Sequence, residues 1–199
     1  MNDTFLKLKS IFPEHAELYL VGGCVRDYVL NDCKFENVKD FDVELHKMKL
    51  KEVEHYLEKS GEEYCKVGKS FGVYKLKLDG LDFDVSLPRK DSKTGSGHCG
   101  FEVEIDPFMG LKEASKRRDF TINSVSMFLG WGVLPEQVYY HQFFDYHGGL
   151  EDLKNKVLRM VDPETFGDDP LRVLRGMQFA GRFGLTVEPE TFEKMKELV

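Results

Sequence analysis

Two aspartates, Asp40 and Asp42, stand one residue apart in the segment KDFDVEL, with Phe41 between them. In an extended strand residues i and i+2 share a face, so this spacing sets two carboxylates side by side and turns Phe41 to the other side. Adjacent carboxylates repel one another, and burying them unpaired is expensive. A divalent cation removes that objection. Mg²⁺ takes hard oxygen ligands, commonly one or two carboxylates, and completes its shell with water and phosphate oxygens. Asp40 and Asp42 are therefore candidate metal ligands. Upstream, Gly22 and Gly23 in YLVGGCVRDYVL leave backbone N–H groups open at a helix N-terminus, which is a site for an anion. A phosphate cradle beside a metal-binding carboxylate pair outlines a nucleotidyl-transfer site.

Other residues could join it. The D-x-D pattern recurs as Asp82 and Asp84 in LDFDVSL, and one of these is a candidate third carboxylate; the alternative is the solvent side of an edge strand. Arg26 and Asp27 lie in the early turns of the helix after the glycines, placed to order the phosphate loop rather than only to pair at the surface. Arg117, Arg118, Asp119 and Asn123 follow a short helical stretch, and Arg118 with Asp119 suits contacts to triphosphate and ribose. Arg89, Lys90 and Lys93 sit in a polar, glycine-rich stretch from Pro88 to Gly100 that reads as a flexible loop. His98 and Cys99 in that stretch lack further ligands nearby and stay unassigned.

The elements that must position these groups alternate along the chain. Residues 3–12 carry apolar side chains at helical spacing, stopped by Pro13; ELYLV is a first strand and VRDYVL a helix. KDFDVEL is the second strand, and Lys47 to Ser60 a helix ended by Gly61. VYKLKL and LDFDVSL alternate around Asp79-Gly80, a strong hairpin signal. Met109 to Lys116 reads as helix, and the aromatic stretch 124–144, with Trp131, as strand, turn and strand closing the sheet. From Asp145 the pattern turns helical: a short helix after Gly148-Gly149, a longer one from Asp169-Pro170, and a last one from Pro189.

A length of 199 residues fits one domain, or one and part of a second. The net charge of −7 argues against a surface coated for nucleic acid, but a local basic groove still works inside an acidic whole. Four scattered cysteines without a CxxC pair read as reduced thiols in a cytoplasmic protein. No apolar run approaches a bilayer span, and the N-terminus has no signal-peptide core. Oligomeric state is not readable from these residues.

With DFD, RRDFTIN and DDPLRVLR together, the chain resembles the class II tRNA nucleotidyltransferase and bacterial poly(A) polymerase family over nearly its whole length. GGCVRD followed by DFD is similar to the family's first motif, which binds two divalent metals. RRDFTIN, Arg117 to Asn123, resembles the second, which contacts ribose and phosphates. DYHGGLEDL resembles the third, at a head–neck junction. DDPLR, Asp168 to Arg172, resembles the E-D-x-x-R motif, with Asp in place of the first Glu.

The resemblance implies an α/β head of the polymerase-β-like nucleotidyltransferase type over 1–145, with a small mixed sheet, and an all-helical neck segment over 146–199. It implies two Mg²⁺ ions at Asp40 and Asp42, with Asp84 the third catalytic carboxylate. Nucleotide binding falls to Gly22, Gly23, Arg26, Arg118, Asp119, Asn123, Asp169, Arg172 and Arg175. Asp169 and Arg172 would act as a protein template for CTP or ATP, since arginine offers a fixed fork of donors and aspartate accepts. The 88–100 stretch resembles the loop used to switch from C to A addition. The implied activity is template-independent nucleotide addition to an RNA 3′-hydroxyl, foremost CCA addition to tRNA. Poly(A) addition and a nucleotide-binding fragment without turnover are the alternatives. The segment after RRDFTIN is longer and more aromatic than the family pattern, and the further helical regions that grip tRNA are expected in a longer chain.

Overall fold

Phe41 and Phe83 decide which way the two acidic segments face. Both rings are almost fully buried, stacked at a centroid distance of 5.3 Å, with Phe5 edge-on to Phe41 at 5.1 Å. Burying a side chain of this size is worth roughly 1.5–3 kcal/mol, and a one-residue slip would exchange it for two aspartates. The alternating D-F-D pattern therefore pins its own register.

A computed structural model of the chain describes residues 2–35, 38–67, 72–93, 101–130 and 143–199. The elements run α1 (Asn2–Ile11), β1 (Glu17–Val21), α2 (Gly23–Leu30), β2 (Asp40–His46), α3 (Leu50–Ser60), β3 (Tyr64–Val67), β4 (Val73–Leu78) and β5 (Leu81–Ser86). They continue with β6 (Arg89–Lys93), β7 (Phe101–Ile105), α4 (Leu111–Ser115), β8 (Ser126–Phe128), β9 (Phe143–Phe144) and α5 (Gly149–Asn155). The chain then makes β10 (Val157–Leu158), α6 (Leu171–Phe183), β11 (Thr186–Val187) and α7 (Pro189–Glu197).

A seven-stranded mixed sheet, ordered β3-β4-β5-β2-β1-β8-β9, forms the frame. Among the described residues its one parallel pairing is β2 with β5. β4 and β5 join through Asp79 and Gly80, both at positive φ (51° and 83°), as a tight two-residue hairpin requires. The strand carrying Asp82 and Asp84 is thus interior, between β4 and β2, and not an edge. One face of the sheet packs on α1 and α3 through Phe5, Leu8, Val53 and Leu57.

Three expected boundaries move. The third helix starts at Leu50 rather than Lys47, because Lys47 turns the chain at φ 66° and the Glu52 carboxylate accepts from the Lys49 N–H at 2.7 Å. The helix expected over Met109 to Lys116 shrinks to α4. The stretch expected as a flexible loop from Pro88 begins instead as β6, antiparallel to β7. Its polar residues carry no strand signal; the partner strand supplies the backbone hydrogen bonds. Residues 94–100, with His98 and Cys99, lie outside the described residues. In the aromatic stretch β8 pairs with β9, while 131–142, including Trp131, lie outside.

A second buried cluster joins Phe120 and Ile122 to Leu153, Leu158, Phe166, Val173, Phe179 and Met195. The later helices pack on a layer that begins before Asp145. Gly149 allows the contact: a Cβ there would come within 2.1 Å of the Thr121 carbonyl oxygen. Among the described residues no helix is long and apolar enough to cross a membrane.

Candidate active site

The two D-F-D segments lie side by side in register. Asp40 is opposite Asp82, Phe41 opposite Phe83, and Asp42 opposite Asp84. Neighbouring strands are about 4.8 Å apart, so the face opposite the aromatic core presents four crowded carboxylates. They line a cleft of about 530 Å³ together with Lys75 and Lys77. Asp40 and Asp42 also border a second hollow of about 540 Å³, formed with Gly23, Asp27, Arg182 and Phe183. The pair is reachable from two sides.

The Asp42 carboxyl is pushed above the usual range, chiefly because its surroundings strip water from it and then because Asp84 is near; Arg118, Lys75 and Arg117 pull the other way. Lys75 donates to Asp84 at 2.8 Å, and that hydrogen bond raises the pKa of the ammonium group. The described residues hold no group of three or more His, Cys, Asp or Glu side chains that could hold a metal. Asp40 and Asp42 offer hard carboxylate oxygens beside Asp82 and Asp84, a donor set that suits Mg²⁺, which keeps water and substrate oxygens in its shell. The residues fit the cation.

Gly22 closes the other side. It caps α2 at φ 74°, ψ −138°, a conformation open to glycine alone. A Cβ here would lie 3.2 Å from Asp42 Oδ2 and 3.6 Å from Arg118 Nη1. Gly22, Asp42 and Arg118 thus meet at one point, with Gly23 the first helical residue beside them. Cys24 behind them is buried, its thiol pushed up to about 12 by that burial, with Sγ against the Val21 carbonyl. It is a packing residue.

Arg26, Asp119 and Asn123 are turned inward. Arg26 is 5% exposed, its Nη1 donating to Asn123 Oδ1 at 2.7 Å and its Nε to Asp27 at 2.8 Å. Its guanidinium also lies 5.2 and 4.6 Å from the ring centroids of Phe179 and Phe183 on α6. Asn123 Nδ2 donates to Asp119 Oδ1 at 3.0 Å, and Arg175 Nε to Asp119 Oδ2 at 2.7 Å. The result is a relay from α2 through the 3₁₀ turn Thr121–Asn123 to α6. At the start of α6, Asp169 accepts from the Leu171 N–H at 3.0 Å. Arg172 donates to the Thr165 carbonyl at 3.1 Å and to the Arg117 carbonyl at 2.8 Å.

Sequence reasoning passed over Glu44 and His46. Glu44 is 2% exposed; His46 Nε2 lies 3.0 Å from one of its oxygens, and Arg117 and Arg118 lie 3.4 and 3.6 Å from the other. Burial alone would raise this carboxyl, but the His46 hydrogen bond and the charges of Arg118 and Arg117 hold it at about 2. The signal was available in the strand period: Asp40, Asp42 and Glu44 alternate on one face.

The mixed α/β sheet is that of a polymerase-β-like nucleotidyltransferase, as comparison with known proteins shows. The chain belongs to the family of the poly(A) polymerase head domain, whose sequence profile matches residues 18–159. A multifunctional CCA protein of Pasteurella multocida is 36% identical over 92% of this chain and 39% of its own length. One from Nitrosococcus oceani is also 36% identical, again over 92% of this chain and 39% of its own length. The chain spans about two fifths of these relatives. A crystal structure of a tRNA nucleotidyltransferase complexed with a primer tRNA and an incoming ATP analog superposes with a TM-score of 0.71 at 28% identity, covering 98% of this chain and 49% of that one. A tRNA-processing enzyme with CTP gives a TM-score of 0.70 at 30% identity, covering 92% of this chain and 43% of that one.

Proposed function

We propose that this chain is the catalytic head, with the start of a helical neck, of a template-independent enzyme that adds nucleotides from CTP and ATP to the 3′-hydroxyl of RNA. CCA addition to tRNA 3′ ends is the reading we put first. The observation that carries it is the in-register pairing of the two D-F-D segments beside Gly22 and Arg118. The named relatives, one solved with primer tRNA and an ATP analog, support the substrate classes. The head is assigned to 1–145 and the neck to 146–199, with Phe120 and Ile122 lent by the head to the neck's core. Free thiols at Cys24, Cys33 and Cys65 suit a cytoplasmic setting.

In this reading Asp40 and Asp42 hold two Mg²⁺ ions, with Asp84 as third carboxylate. Bound there, the cations would supply charge neutralisation at the triphosphate and a more acidic 3′-hydroxyl. The N–H groups of Gly22 and Gly23 and the guanidinium of Arg118 receive the triphosphate. The 3′-oxygen forms its bond to the α-phosphorus, the bond to the β-phosphate oxygen breaks, pyrophosphate leaves with that bond's electron pair, and the hydroxyl proton passes to water. Arg26, Asn123, Asp119 and Arg175 brace this site against α6 from beneath. Asp169 and Arg172 read the base edge, so Asp169→Ala should weaken discrimination against GTP and UTP about tenfold or more.

The test is label incorporation into a tRNA lacking its terminal CCA, with Mg²⁺ and CTP, ATP, GTP and UTP singly and together, and Asp42→Ala as the blank. Ordered addition of C, C and A supports the first reading. A run of A from ATP favours poly(A) addition, the second reading, which the name of the matching head domain supports. Nucleotide binding without incorporation would make the chain a binding module.

A further inference from the structure

We infer that Glu44 is a positioning residue for the triphosphate: its buried carboxylate holds the Arg117-Arg118 pair so that Arg118 faces Gly22 and Asp42. The inference rests on the reading of Arg118 as a triphosphate contact.

Arg118 stands between two carboxylates of one strand. Its Nη1 points at the Gly22–Asp42 corner, while its Nη2 lies 3.6 Å from Glu44 Oε2. Arg117 Nη2 lies 3.4 Å from the same oxygen. A flexible arginine left alone beside Asp42 and Asp84 would collapse onto them and compete with a cation there. Glu44 supplies a competing anchor one step along the same face, out of water, where a charge-assisted contact is strongest.

The anchor is itself fixed. His46 Nε2 faces Glu44 Oε1 at 3.0 Å, and His46 Nδ1 donates to the Met109 carbonyl at 3.1 Å. Tyr19 packs edge-on against the imidazole at 5.2 Å. From the opposite side Arg172 donates to the Arg117 carbonyl at 2.8 Å, so α6 holds the backbone of the same dipeptide. The two arginines are gripped by the sheet through their side chains and by α6 through their main chain.

The test uses the 199-residue chain, with Mg·ATP binding measured directly and single-nucleotide incorporation measured beside it. Glu44→Gln keeps the shape and an acceptor for His46 but removes the charge that holds the arginines. The expected result is about tenfold weaker Mg·ATP binding and a matching rise in KM for ATP, with KM for the RNA unchanged. Arg118→Met weakens binding too, and the double variant is no weaker than Arg118→Met alone, because Glu44 acts through Arg118. A purely structural role would lower kcat and raise both KM values together, and its loss would multiply with that of Arg118→Met; either pattern overturns the inference. Wild-type binding by Glu44→Gln beside weak binding by Arg118→Met also overturns it. Wild-type binding by Arg118→Met would instead remove the triphosphate reading beneath it, and the inference with it. If Glu44→Gln does not fold, Glu44→Asp, which keeps the charge but draws it back by one methylene, decides by the same readouts.

Discussion

Strand β2 carries acidic side chains on one face at three successive alternate positions, and its two halves have opposite surroundings. Asp40 and Asp42 reach the surface, the Asp42 carboxyl partly stripped of water, and both are crowded by Asp82 and Asp84 on β5. Glu44 is buried, with His46, Arg117 and Arg118 around it. The same functional group consequently moves in opposite directions: the Asp42 carboxyl is raised by desolvation and by Asp84, and the Glu44 carboxyl is held at about 2. A carboxylate whose neighbours are carboxylates is left needing a cation from outside. One whose needs are met by the protein becomes part of the frame. In the proposed reading, reaction chemistry and rigidity are thus set two residues apart.

The contrast can be broken at its open end first. Asp42→Ala should lower nucleotide incorporation by about 10³-fold or more, since a metal site supplies several kcal/mol. Its unfolding midpoint in urea should stay at or above wild type, because one repelling charge is gone. A variant that loses stability instead would place Asp42 with Glu44 in the frame.

Glu44→Ala should act the other way round. Removing one partner from a buried ionic cluster leaves the others uncompensated and costs about 3–5 kcal/mol, read from the same urea titration. A loss under about 1 kcal/mol would mean that the cluster is wetter than its 2% exposure implies.

The two halves should also have pH dependences of opposite sign. For Glu44 the folded value of about 2 lies below the ordinary 4.5, so its stabilisation is full above pH 4.5 and is lost as the pH falls towards 2. For Asp42 the folded value lies above the ordinary 3.8, so its ionisation works against folding as the pH rises past that point. The stability gap between wild type and Glu44→Gln should close on acidification. Asp42→Asn should gain on wild type above pH 3.8, and Mg²⁺ should erase the gain. Parallel slopes for the two variants would erase the distinction. The smallest effect is expected from Lys75→Met, which frees Asp84 of an exposed ion pair worth about 0.2–1 kcal/mol. Apparent Mg²⁺ affinity in the incorporation assay should rise by no more than about fivefold.

Much of this site is visible in local pattern because alternation and glycine are local properties. Period two placed Asp40 and Asp42 on one face with Phe41 opposite, and the doubled glycine announced a turn into a helix. The hairpin at Asp79-Gly80 was equally plain. Arg26, Asp119 and Asn123 were singled out as contacts to the ligand by the motifs around them. The Asn123–Asp119 bond is local, but the bonds of Arg26 to Asn123, of Asp119 to Arg175 and of Arg26 to the rings of α6 join residues more than fifty positions apart, which no window contains. Strand β6 went unread for a related reason: its polar residues are extended only because β7 pairs with them.

The sequence by itself determined the chemistry available: carboxylates at strand period, a glycine where the backbone must take φ 74°, and an arginine pair followed by aspartate. Tertiary structure decided which carboxylates face one another and which are taken out of water. The parallel register of β2 with β5 joins Asp42 to Asp84 across more than forty residues, and the approach of the Arg117-Arg118 segment makes Glu44 a buried anion. Charge state depends on solvent and on neighbours, and both are supplied by parts of the chain that sequence proximity does not reveal.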